Sequence, residues 1–250
     1  MDKTAVAGGI EQIPEDYHSN EEGIPKAHLI RMARLYGLKP GVNLALFIAA
    51  GSLGRKVTWT NTDYAEHYIR VSGLGVRHSR ISEDEIVTGI LHDVVEDSDW
   101  DIEDLRDLGF SEVICNAVDS VTKRKPVPGQ PKERYLDATK RASIDPVGRR
   151  VKMRDNDDNM DLTRGAFAAG DKQKFLYHIS YTYLDAVDNH LITPNSSIWQ
   201  FLKDPRFSKL VNKENIEIIG RNVSEPMPSY FIQKFNLAAQ AATPIAPANN

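Results

Sequence analysis

One seven-residue run, Leu91-His92-Asp93-Val94-Val95-Glu96-Asp97, holds residue types that could do chemistry. Adjacent His92 and Asp93 offer a divalent cation one imidazole and one carboxylate. Glu96 and Asp97 follow four residues later, so on a helix they repeat those positions one turn on. A metal-binding pair with an acid pair beside it is what metal-assisted hydrolysis of a phosphate ester requires. Two residues elsewhere could complete such a centre. His67 lies upstream, in Tyr64-Ala65-Glu66-His67-Tyr68, and Asp155 lies downstream, in Lys152-Met153-Arg154-Asp155-Asn156-Asp157-Asp158-Asn159. Taken singly, His67 reads as a half-buried helix histidine and Asp155 as part of a solvated acidic run. It is the order His, His-Asp, Asp that gives them weight. The acidic run is not a calcium loop, because Met160 stands where that loop needs glycine and Ala166 where it needs the closing glutamate.

These residues need helices to carry them, and the apolar periodicity supplies helices almost throughout. The pattern predicts helices over 26–37, 42–53, 63–76, 82–97, 102–108, 111–122, 132–141, 146–160, 172–190, 197–203 and 213–219. Three prolines and a glycine make 123–131 a loop, and the solvated loop is the favoured reading of Lys123-Arg124-Lys125. In the 82–97 segment, Ser82 with Glu85 forms a capping box, and Asp84 adds favourable charge to the first turn. Ile86, Val87, Ile90, Leu91, Val94 and Val95 fill one half of the wheel, while Gly89, His92, Asp93, Glu96 and Asp97 gather on the other. Gly89, one turn before His92 and Asp93, leaves room there for a metal or ligand. The plain alternative is an amphipathic helix whose polar half faces water.

The 250 residues suit one sizeable domain, and the fold class expected is all-α. Residues 1–25 read as a flexible N-terminal segment, 26–220 as the domain, and 236–250 as a disordered Ala/Pro/Asn tail. A formal net charge of −4 argues against a general nucleic-acid partner. The single Cys115 points to a reducing compartment. No start resembles a signal peptide, and the longest apolar stretch, 44–50, is too short for a bilayer. A cytoplasmic protein without a membrane partner is expected.

The order of His67, His92-Asp93 and Asp155 on separate helices resembles the HD-domain metal-dependent phosphohydrolases. Val121-Thr122-Lys123, Asn159-Met160, the Glu96-Asp97 pair and Arg55-Lys56, a dozen residues before His67, narrow the resemblance. It is to the (p)ppGpp hydrolase domain of the Rel/Spo family, over roughly 42–164. The resemblance implies a single helical bundle with a metal site between helices, in the arrangement of a small alarmone hydrolase. It further implies that His67, His92, Asp93 and Asp155 hold one divalent cation, usually manganese. Glu96 and Asp97 would then handle the proton of the attacking water or of the leaving oxygen, and Arg55, Lys56 and Asn159 would contact a nucleotide substrate. The implied reaction removes the 3′-pyrophosphate of (p)ppGpp. Three departures stand out: Tyr68 replaces the proline usual after the first ligand, Asn156 replaces a basic residue, and Gly148, Arg149, Arg150 and Arg154 occupy a helix normally rich in aliphatics. The departures leave two other readings open, an HD phosphohydrolase for another phosphorylated nucleotide and a catalytically silent nucleotide-binding module.

Overall fold

The structure, a computed structural model, describes residues 23–54, 64–74, 81–161 and 171–237. Arg55 and Lys56, most of the predicted N-terminal segment and most of the tail lie outside these residues. The described residues are all-α, with thirteen α-helices, one 3-10 helix at Pro205–Leu210 and no strand.

In chain order the helices are α1 (Lys26–Leu35), α2 (Val42–Leu53), α3 (Tyr64–Ser72), α4 (Glu83–Leu91), α5 (Val94–Asp97), α6 (Ile102–Asp107) and α7 (Glu112–Val121). There follow α8 (Tyr135–Ala142), α9 (Pro146–Met160), α10 (Asp171–Asp188), α11 (Ile198–Lys203), α12 (Lys213–Arg221) and α13 (Ser229–Phe235). Two apolar clusters hold them. The first draws on α1 to α7, around Leu44, Ile48, Ile90, Leu91, Val94 and Trp100. The second draws on α8 and on α10 to α13, around Leu136, Ile179, Tyr183, Phe201, Ile219 and Phe231. Phe231 belongs to α13, which therefore packs with the domain although it lies beyond the predicted end at 220.

Helix α9 is the wall shared by both clusters, packing on α3, α4, α7, α8 and α10. It starts where the sequence favours a start. Asp145 caps the amides of Val147 and Gly148 at 3.0 and 2.7 Å, and Pro146 takes a first-turn position that has no amide to satisfy. Gly148 allows a close approach to α7, since a Cβ there would meet Ser120 Oγ at 1.9 Å. The unusual arginines of α9 are partnered in the packing. Arg149 reaches Asp188 and the Ser143 carbonyl, while Arg150 and Arg154 both grip buried Glu85 of α4, at 2.7 and 3.0 Å. Ion pairs thus join buried Val147 and Val151 in holding α9 to its neighbours.

Three expectations for the 82–97 segment need correction. The segment is not one helix: α4 ends at Leu91 and α5 begins at Val94, with His92 and Asp93 in a turn and Asp93 at φ −100°, ψ −7°. The capping box is only half formed, because Ser82 Oγ accepts from the Glu85 amide at 3.2 Å while the Glu85 carboxylate is committed to the two arginines. Gly89 does not make room for a metal. A Cβ on it would lie 2.5 Å from Ser72 Cα, so the missing side chain lets α4 rest directly on α3. The apolar half of the wheel is buried as its pattern requires, with Val87, Ile90, Leu91 and Val94 fully covered.

Candidate metal centre

His92 and Asp93 follow Leu91 with both backbones in the right-handed helical region, and His92 Nε2 lies 2.9 Å from Asp93 Oδ2. The His92 ring is anchored from behind, its Nδ1–H donating to the Gly89 carbonyl at 2.8 Å. A carbonyl can only accept, so the proton sits on Nδ1 and Nε2 is the coordinating atom. That Nε2 is buried and makes no hydrogen bond.

Helix α3 delivers His67 to the same point. Its Nε2 lies 3.6 Å from Asp93 Oδ2 and 3.4 Å from Asp155 Oδ1, and its ring meets that of His92 edge to face at 5.1 Å. His67, His92 and Asp93 form a cluster whose donor atoms lie within 4.8 Å of one another, close enough to share one metal ion. Asp155, on α9, closes the arrangement with Oδ1 3.9 Å from His92 Nε2. Two imidazole nitrogens and two carboxylates are a donor set for a first-row divalent cation, and the unbonded His92 Nε2 fits that use. Three of the four sequence-predicted ligands thus form the cluster that could hold a metal ion, and Asp155 lies beside its two histidines.

Charge holds the donors in register. Burial would raise the Asp93 carboxyl, but the charges of the neighbouring His92 and His67 imidazoles override it and hold Asp93 well below the usual carboxylate range. Asp155 is lowered in the same way, against its burial, by Lys152 and the two imidazoles. Burial disfavours a charged His67, yet its hydrogen bonds to Asp155, Asp158 and Asp93 raise its pKa well above the ordinary histidine value. His92 is raised too, the Asp93 charge outweighing burial.

His67, Asp93 and Asp155 line a cavity of about 330 Å³, while His92 is buried and does not reach its wall. Glu96 and Asp97 line it, as does Asn159, whose amide donates to Asp155 Oδ1 at 2.6 Å. Asn159 thus orients a metal donor in addition to facing the cavity. The Glu96 carboxylate accepts the Lys123 amide at 3.1 Å and lies 3.8 Å from the Lys123 ammonium, which brings the start of the 123–131 loop into the wall. Further residues contribute that the motif reading passed over. The Tyr64 hydroxyl donates to Asp93 Oδ2, and the Lys152 ammonium donates to Asp155 Oδ2 at 2.7 Å. Both stand three residues before a donor, His67 and Asp155, so helical i, i+3 spacing was the available signal. Tyr135 and Tyr177 meet edge to face at 5.9 Å on the cavity wall and carried no such signal.

Tyr68 and Asn156 occupy different surroundings. Tyr68 is buried in the first apolar cluster, and Asn156 is fully buried between the Tyr135 hydroxyl at 2.8 Å and Ser180 Oγ at 2.9 Å. Neither lines the cavity. Five carboxylates line it against Lys123, Arg134 and Lys152, so a polyanionic ligand would meet net negative charge unless a cation were bound. No family model matches the chain.

Proposed function

We propose that the chain is a metal-dependent phosphohydrolase that removes the 3′-pyrophosphate of guanosine alarmones, (p)ppGpp, giving GDP or GTP and pyrophosphate. The observation that carries this reading is the cluster of His67, His92 and Asp93, with Asp155 3.4 Å from His67, of which His67, Asp93 and Asp155 line a cavity that Glu96 and Asp97 also line. A divalent cation held there, manganese by the resemblance to the HD phosphohydrolases, would polarise a phosphoryl oxygen and activate water. Glu96 and Asp97 stand where a carboxylate can take the proton of the attacking water or supply one to the departing 3′ oxygen. The Lys123 ammonium faces the cavity as a phosphate contact. Tyr135 and Tyr177 present aromatic surface on which a purine can rest. Lys152 stays with Asp155 and keeps that carboxylate ionised and oriented. Tyr68 and Asn156 were the sequence reasons for doubting the guanosine substrate. Both are taken up by packing and neither lines the cavity, so neither argues for another nucleotide. The lone Cys115 is buried and suits a cytoplasmic setting.

The test is release of pyrophosphate from ppGpp by purified protein with manganese, run beside a panel of other nucleotides. Manganese-dependent release from ppGpp is the expected result. Hydrolysis of other nucleotides but not ppGpp would transfer the chemistry to another substrate. Binding of ppGpp without turnover would make the chain a nucleotide-binding module.

A further inference from the structure

The two histidines of the centre are held from behind by different groups. His92 leans on a backbone carbonyl, whereas His67 Nδ1 lies 2.6 Å from Asp158 Oδ2. The other oxygen of Asp158 accepts from Arg70 Nε, also at 2.6 Å, so the imidazole and the guanidinium do not compete for one atom. Arg70 reaches Glu66 in turn, at 3.2 Å. The His67 and Asp158 side chains are only 6 and 7 % exposed, so water does not screen their contact. Asp158 stands one helical turn after Asp155 on α9, and His67 and Arg70 stand one turn apart on α3. The contact between these helices therefore sets donor and orienting group side by side.

We propose that Asp158 is the positioning residue of His67. An ionised carboxylate can only accept, so Asp158 keeps the ring proton on Nδ1 and commits Nε2 to the cation. Arg70 fixes the rotamer of the carboxylate and offsets its charge. The arrangement is a carboxylate–imidazole–metal relay in which Asp158 raises the donor strength of His67 without touching the metal.

The inference rests on the metal centre of the preceding reading and not on its substrate, so the experiment uses manganese alone. Manganese affinity is measured by calorimetry on the wild-type protein, Asp158→Ala, Asp158→Asn and Arg70→Gln, with the melting temperature of each metal-free form. Asp158→Ala is expected to weaken manganese binding by about 10- to 100-fold. Asp158→Asn keeps an acceptor and should lose less, and Arg70→Gln less still. The second readout is the ring nitrogen spectrum of 15N-histidine-labelled protein loaded with diamagnetic zinc. His67 should be protonated at Nδ1 in the wild type and in Asp158→Asn, but not held so in Asp158→Ala. If the Asp158–Arg70 pair were only a staple between α3 and α9, all three variants would lower the melting temperature and leave manganese affinity and the His67 signals unchanged. That result overturns the proposal, and Asp158→Asn and Arg70→Gln decide it even if Asp158→Ala does not fold. A wild-type protein that binds manganese but is inert toward ppGpp removes the hydrolase reading alone. One that binds no manganese removes the centre and this inference together.

Discussion

At the scale of the residue, the centre works by surrounding two imidazoles with carboxylates. His92→Ala or Asp93→Ala removes a donor and is expected to abolish both manganese binding and turnover; a variant that still binds metal as tightly as the wild type would take that residue out of the centre. Glu96→Gln keeps every donor, so it should retain manganese in calorimetry and lose most of its turnover. Unchanged turnover would remove Glu96 from the chemistry. The same carboxylates set a pH dependence. His67 and His92 are raised above their ordinary 6.5 in the metal-free protein. Their charged forms thus contribute stability that is full below pH 6.5 and is lost as pH rises through the folded values. Asp93 and Asp155 are lowered below 3.8, and their contribution is lost as pH falls through the folded values. A cation needs neutral imidazoles, so manganese binding should release protons and tighten with rising pH. Calorimetry in buffers of different ionisation enthalpy measures that release, and a pH-independent affinity would contradict it. The identity of the donors was legible from the order His67, His92-Asp93, Asp155. The partners Lys152 and Tyr64 had only their helical i, i+3 spacing from Asp155 and His67 to mark them, and the pairing of Asp158 with His67 was not legible, because what an acid in a helix faces is set by packing.

At the scale of the element, the decisive event is the interruption of the 82–97 helix. Hydrophobic periodicity runs unbroken through it, since Val94 and Val95 continue the apolar face of Ile90 and Leu91, and a wheel therefore reads one helix. The helix is interrupted at His92 and Asp93 all the same, and their two consecutive side chains meet at one point. Gly89 was legible as a position needing a reason, but the reason lies on α3. Gly89→Ala gains about 1 kcal/mol of helix propensity, yet its Cβ would sit against the Ser72 backbone. The net effect expected is a loss on the order of 1–3 kcal/mol, seen as a lower midpoint in urea. Because α3 carries His67 and α4 leads into His92, manganese affinity should fall with it. A variant as stable as the wild type would mean that the two helices part without cost.

At the scale of the whole molecule, the donors are separated by up to 88 residues of sequence, His67 to Asp155, and meet because α9 is packed between the two apolar clusters. A cation bound across α3, the α4–α5 turn and α9 would therefore stabilise the assembled state. At a manganese concentration 100 times the dissociation constant the gain is about 2.7 kcal/mol. For a chain of this size that raises the melting temperature by roughly 5–10 °C. Calorimetric scans with and without manganese measure the shift, with Asp93→Ala as the variant in which it should vanish. Among the described residues, no helix is long and apolar enough to cross a membrane. The all-helical class, most helix starts and the residue types of the His67, His92 and Asp93 cluster were written in the sequence, because periodicity, capping residues and side-chain chemistry are local properties. Which face met which was not. The Glu85 carboxylate turned from its expected cap to two arginines of α9, Gly89 served a helix contact, and Asp158 found His67. Those choices depend on distances between helices, and non-local packing alone sets such distances.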